Sequence, residues 1–200
     1  MAGRNKGGIR LIGGHWRGRR LPVPAAAGLR PTPDRVRETL FNWLQGRLAG
    51  TRCLDLFAGS GALGLEAASR GAAEVVLVER SAPLARHLRE IVSLLPGACI
   101  RVVRSDGLRF LREGRAGPFD VVFLDPPYGS GLLEPVFRLL PAALNAPAWV
   151  YAELPATAPL PALPPRWRLL RSTQAGAVGA HLIEAQGEPT KGVPGRARAG

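Results

Sequence analysis

From Arg52 onward, two spacings of apolar positions alternate along the chain. Short runs of consecutive apolar and β-branched residues read as buried strands over 53–58, 74–79, 100–104, 119–124 and 148–153. Between them, apolar residues recur at helical spacing over 62–70, 83–95, 108–112 and 132–144. Upstream, Thr32 and Pro33 form a helix start, with Thr as N-cap and Pro at the first helical position. Val36, Leu40, Leu44 and Leu48 then recur every four residues as one apolar stripe. Downstream, 167–172 and 177–184 read as a hairpin, after a proline-rich linker over 155–165. Alternation of this kind predicts an α/β fold, a doubly wound and mostly parallel seven-stranded sheet with helices on both faces, closed by an antiparallel hairpin.

The ends have a different character. Residues 1–29 read as a basic, mostly irregular arm, with short β pairing around 9–12. Residues 30–186 form the main domain, and 187–200 have no apolar period and read as a disordered tail. Two hundred residues with 46% hydrophobic content support one core. No apolar stretch reaches the roughly 18 residues a transmembrane helix needs, and none follows the early cations Arg4, Lys6 and Arg10. A cytoplasmic protein without a membrane span is expected. Cys53 and Cys99 are expected as reduced core thiols, and with His15, His87 and His181 scattered they predict no metal site.

Charge changes the picture. Nine of the 27 cations lie in residues 1–37 against Asp34 alone, so this segment carries +8 of the chain's net +12. The basic, Gly-rich run His15-Trp16-Arg17-Gly18-Arg19-Arg20 suits phosphate contacts and stacking on an unpaired base. Arg17, Arg19, Arg20, Arg35 and Arg37 are the candidate nucleic-acid contacts. A solubilising tail, or a general preference for Arg over Lys, would produce the same charge.

Candidate chemistry gathers at the strand ends. Gly59, Gly61 and Gly64 follow the first strand of the alternation, and Glu79 closes the second. That pattern permits a tight turn against a ligand, with an acidic acceptor for ribose hydroxyls. Asp55 at the mouth of the turn would repel a pyrophosphate but suits an ammonium or sulfonium, which points to S-adenosylmethionine rather than a nicotinamide dinucleotide. Asp106 at the third strand end is an acceptor for an adenine amine. The expected cofactor lining is Asp55, Phe57, Ala58, Gly59, Ser60, Gly61, Glu79, Arg80, Asp106 and Gly107. At the fourth end stands Asp125-Pro126-Pro127-Tyr128. The prolines stiffen the turn and remove backbone donors, so a carboxylate, carbonyl acceptors and an aromatic plane are presented together. These four are the candidate catalytic residues, equipped to clamp the amine of a flat base, with Tyr128 also contacting the substrate.

Three blocks carry a family resemblance: Arg10 to Leu21 with Leu29 to Leu44, Leu54 to Gly64 continuing to Ala72, and Asp125 to Tyr128. On these the chain resembles the 16S rRNA (guanine(966)-N2)-methyltransferase family, over residues 8–185. The resemblance implies a Rossmann-like S-adenosylmethionine-dependent methyltransferase that acts as a monomer on 16S rRNA of the small ribosomal subunit. Asp55, Gly59, Glu79 and Asp106 would then bind the cofactor, and Asp125 to Tyr128 the target guanine. The chain departs from the family pattern at Ile91, where Asn is common, and at Gln174 and Ala180, where Lys and Tyr are expected. Competing readings are a DNA adenine-N6 or cytosine-N4 methyltransferase, a nicotinamide oxidoreductase, and a non-catalytic RNA-binding protein.

Overall fold

The computed structural model describes residues 8–22, 34–97, 99–114 and 117–187. The expected helix start at Thr32-Pro33, the block residues 29–33 and the tail from 188 lie outside them. In chain order the elements are β1 (Gly8–Arg10), β2 (Arg20–Pro22), α1 (Asp34–Trp43), β3 (Arg52–Asp55), α2 (Ala62–Ser69) and β4 (Glu74–Glu79). Then follow α3 (Ala82–Ser93), β5 (Ile100–Arg104), α4 (Gly107–Glu113), β6 (Phe119–Leu124) and α5 (Leu133–Leu139). A 3-10 turn over Leu140–Ala143 leads into β7 (Leu144–Pro155), and β8 (Arg168–Ala175) and β9 (Val178–Ala185) close the chain.

β3 to β9 form one seven-stranded sheet in the order β5-β4-β3-β6-β7-β9-β8. The β5 to β7 side is parallel, while β9 runs antiparallel to both β7 and β8. Central strands read as unbroken apolar runs because both faces are covered. On one face, α1, α2, α3 and the β1–β2 hairpin pack through Leu11, Leu21, Phe41, Leu65 and Leu88 onto Val75, Leu77, Val121 and Phe123. On the other, α4 and α5 pack through Phe110, Val136 and Phe137 onto Leu54, Val76, Val122 and Val150.

The short β pairing expected around 9–12 is present: β1 and β2 pair, with Ile9 opposite Leu21, and the loop between them docks on the last turn of α2. There the fully buried Glu66 accepts the Ile12 and Gly13 N–H groups at 2.7 and 2.8 Å and the Arg70 Nε at 2.7 Å. Ser69 Oγ accepts the Trp16 N–H at 3.0 Å and donates to the Gly13 carbonyl at 2.6 Å. Gly14, at φ 75, comes so close that a Cβ would stand 1.7 Å from the Ser69 carbonyl oxygen. The helix expected over 132–144 ends earlier, because Pro141 supplies no N–H for another α-turn; Leu144 already belongs to β7. Cys99 is exposed rather than a core thiol, since it precedes β5 at the sheet's edge, whereas Cys53 is buried in β3.

Candidate active site

The chain leaves β3 toward β4 and β5 on one side and continues to β6 and β7 on the other. The strand order therefore reverses between β3 and β6, and a crevice opens above their carboxyl ends. Asp55 ends β3, in register with Phe123, so Asp55 and Asp125 flank this crevice from adjacent strands.

The loop after β3 is built by its own backbone and two carboxylates. Gly59 and Gly61 take φ values of 51 and 80, which side chains other than glycine rarely adopt. The Gly59 N–H donates to Glu79 Oε2 at 2.9 Å, Gly61 to the Ala58 carbonyl at 2.6 Å, and Gly64 to Asp55 Oδ2 at 3.0 Å. All three amides are thus taken up internally. A pyrophosphate would draw on such N–H groups, and these three are already engaged. A Cβ on Gly64 would stand 2.2 Å from Leu77 Cδ2 and 3.2 Å from Asp55 Cβ, so only glycine lets α2 seat on β3 and β4.

Asp55 is 2% exposed. Burial pushes its carboxyl up from 3.8 to about 7; the Gly64 N–H opposes this, and the nearby Asp125 and Glu79 charges add to it. Its carboxylate both caps the loop and gives the crevice its negative character. Glu79 Oε1 accepts the Ser81 N–H at 2.6 Å, so this side chain braces the loops after β3 and β4 together. Asp106 is exposed and caps α4 through the Arg109 N–H at 3.1 Å. A Cβ on Gly107 would meet Phe57 Cε1 at 3.0 Å, so the loops after β3 and β5 touch. Ala58 and Ser60 are buried in the loop, while Arg80 points into solvent beyond Glu79. The structure thus gathers the expected cofactor residues along three neighbouring strand ends.

Asp125 is half-buried, Pro126 buried, and Pro127 and Tyr128 exposed. The Pro127 carbonyl accepts the Ser130 N–H at 3.1 Å; the Asp125 carboxylate and the Pro126 carbonyl are the turn's other acceptors. A groove of about 250 Å³ opens beside the turn, lined by Tyr128, Leu132, Glu153, Pro155 and Pro159 among others. Glu153, near the end of β7, is buried and accepts from Tyr151 at 3.0 Å and Tyr128 at 3.4 Å. The sequence reading missed it, although a fifth acidic strand end was there to see.

The candidate substrate arginines divide. Arg17, Arg19, Arg20 and Arg35 are exposed. Arg37 is not a surface contact: it is 2% exposed, pairs with Asp34 at 2.6 Å and donates to the Arg10 carbonyl at 3.1 Å, tying α1 to the arm.

Comparison with known proteins agrees with this site. The family described as "Conserved hypothetical protein 95" matches residues 9–184. The Escherichia coli ribosomal RNA small subunit methyltransferase D is 48% identical over 186 residues, spanning 91% of this chain and 93% of the relative. The chain belongs to this methyltransferase family. The Haemophilus influenzae member of the same name is 42% identical, over 90% of this chain and 95% of its own. The solved structure of the putative methyltransferase yhhF from Escherichia coli superposes with a TM-score of 0.84 at 43% identity, covering 91% of this chain and all of that one. The protein is therefore a methyltransferase, with the expected fold. A fold neighbour from Streptococcus mutans, 18% identical with a TM-score of 0.66, is a putative SAM-dependent methyltransferase. S-adenosylmethionine, with its ammonium and sulfonium and without phosphate, is the cofactor this acidic crevice fits. The departures from the family pattern fall in different places: Ile91 is on the buried face of α3, Gln174 is exposed on β8, and Ala180 lies opposite Glu153.

Proposed function

We propose that the protein transfers a methyl group from S-adenosylmethionine to the exocyclic N2 amine of one guanine in 16S rRNA, on an assembled or assembling small ribosomal subunit. The observation that carries this reading is the placement of Asp125 and Pro126 at the sheet's switch point, beside Asp55 and the glycine loop. The names of the relatives support small-subunit ribosomal RNA as substrate. The protein acts as a monomer in the cytoplasm, where that RNA is.

The lone pair of the guanine amine is delocalised into the ring and attacks poorly. The Asp125 carboxylate and the Pro126 carbonyl accept its two N–H bonds, draw the nitrogen toward tetrahedral geometry and free the lone pair. Bound in the crevice, S-adenosylmethionine supplies an electrophilic methyl on its sulfonium. Catalysis rests on in-line positioning and on acceptors placed where positive charge develops on nitrogen. Tyr128, 42% exposed at the rim, stacks on a base taken out of its helix or loop.

The test is methyl transfer to unmodified 16S RNA, naked and as assembled subunits, with the product nucleoside identified. N2-methylguanosine is expected; a methylated adenine or cytosine, or transfer to DNA alone, rejects the reading. Asp125→Ala should lower turnover by about a hundredfold or more while cofactor affinity stays within a few-fold. Undiminished turnover would remove Asp125 from the chemistry.

A further inference from the structure

The exposed arginines divide by their partners. Arg109, Arg138 and Arg168 each pair with a glutamate. Arg86, Arg89 and Arg104 are exposed as well, and among the described residues none of the three has such a partner. They gather at one edge of the sheet. α3 turns Ala85, Leu88 and Ile91 inward and presents Arg86 and Arg89, one helical turn apart, to solvent. Arg104 ends the edge strand β5, opposite Glu79. Ile100 and Val102 of that strand pack with Leu88 and Ile91, so Arg104, two positions further on, lies on the α3 side of the sheet. Residues 80–106 hold five Arg against Glu90 and Asp106. Glu90 lies 3.7 Å from His87, and Asp106 caps α4. On its other flank α3 meets the hairpin, where His87 Nε2 donates to the Pro22 carbonyl at 2.8 Å. Arg10 and Arg20, exposed register partners, stand just beyond. Basic surface thus runs from the hairpin across α3 to the end of β5, and there it adjoins Glu79 at the crevice rim.

Phosphate is the ligand this chemistry fits. A guanidinium presents a planar fork of donors that matches phosphate oxygens, and one without a carboxylate partner keeps that fork for a ligand. The other exposed positions of α3 are Pro83, Glu90 and Ser93, and no large apolar side chain is exposed before Leu94 at the far end. A protein partner would need an apolar centre on this face, whereas an RNA backbone needs only spaced cations. Resting on the reading of small-subunit RNA as substrate, we propose that α3 and the end of β5 form a second RNA-binding surface, in which Arg86, Arg89 and Arg104 hold backbone phosphates beside the target base. Phosphate contacts position a strand without reading its sequence. The surface therefore orients the RNA at the crevice rim, and the choice of base stays with the residues of the crevice.

The test measures binding of a small-subunit RNA fragment as a function of salt, together with methyl transfer to it. Arg86→Ala, Arg89→Ala and Arg104→Ala together should lower the slope of log affinity against log salt by roughly 2 to 3, at about 0.7 to 0.9 for each phosphate released. KM for the RNA should rise roughly tenfold or more, while kcat at saturating RNA, cofactor affinity and melting temperature stay close to the wild type. Arg109→Ala, Arg138→Ala and Arg168→Ala together remove the same charge from paired positions and should leave the slope unchanged. A wild-type slope in the first variant overturns the proposal. An equal loss of slope in the second overturns it too, because net charge would then be the cause. In both cases N2-methylguanosine is still formed, and the parent reading survives. A slope lowered in the first variant alone, with no N2-methylguanosine made by the wild type, supports the surface as an RNA contact and sinks the parent reading.

Discussion

Asp55 Oδ2 accepts the Gly64 N–H at 3.0 Å, an interaction that seats the first turn of α2 on the end of β3 and buries a carboxyl beneath the cofactor crevice. Burial raises that carboxyl from 3.8 to about 7, so the folded protein holds a proton there that the unfolded chain gives up earlier. Between about pH 4 and 7 the native state binds more protons, so this group makes stability fall as pH rises through that window and adds no further change above it. A cationic ligand acts in the opposite sense, since it favours the carboxylate. Binding of S-adenosylmethionine should therefore release a proton below about pH 7, and tighten as pH rises toward about 7 and level off above it. Calorimetric titrations in two buffers of different ionisation enthalpy read the proton directly. Asp55→Asn should abolish the release; a wild-type affinity independent of pH would take Asp55 out of the binding equilibrium.

Glu79 has two duties at once. Its oxygens accept the Gly59 and Ser81 N–H groups at 2.9 and 2.6 Å, and each keeps a second lone pair for a ribose hydroxyl. Removing the carboxylate thus loosens the loop and removes the ribose acceptor together. Glu79→Ala should weaken S-adenosylmethionine binding by about a hundredfold, the sum of two hydrogen bonds of about 1.4 kcal/mol each. Glu79→Gln, which keeps one oxygen, should weaken it about tenfold. Isothermal titration distinguishes the two, and an Ala variant with wild-type affinity would leave Glu79 a brace for the loop alone.

How far the chain could be read before folding depended on where each residue's partners lie. Strands 74–79 and 119–124 were legible to the residue because parallel strands covered on both faces leave continuous apolar runs bounded by turns, and the edge strand 100–104 by its β-branched residues Ile100, Val102 and Val103. β7 was not, since its apolar run starts only at 148. Its first residues, Leu144 to Pro147, carry no such run and join the strand through long-range pairing, with Leu144 opposite Phe119. The acids at the strand ends were legible as a series, which is why Asp55, Glu79, Asp106 and Asp125 were all expected at the crevice. Glu153 belonged to the same series but sat beyond the motif that drew attention. Arg37 and Glu66 were not legible as buried groups. Their burial is decided by Arg10, Ile12 and Gly13, whose sequence separations of 27, 54 and 53 residues leave no local trace.

That division among the arginines separates an RNA-binding role from a structural one. Arg17, Arg19 and Arg20 lie exposed on a hairpin held rigidly to α2 through Glu66 and Ser69, so they present fixed charge rather than a loose tail. Replacing all three with Ala should weaken RNA binding and lower the slope of log affinity against log salt, by roughly 0.7 to 0.9 for each phosphate no longer neutralised. Arg37→Ala should leave that slope unchanged. It removes the tie between α1 and the Arg10 carbonyl and should instead lower the melting temperature, consistent with a destabilisation of about 1–3 kcal/mol for a buried polar group deprived of its partner. Salt-dependent RNA binding and thermal unfolding of the two variants separate these effects. A triple variant with the wild-type slope would make the hairpin a packing element alone, and a reduced slope in Arg37→Ala would mean that the arm's orientation, as well as its charge, sets RNA binding.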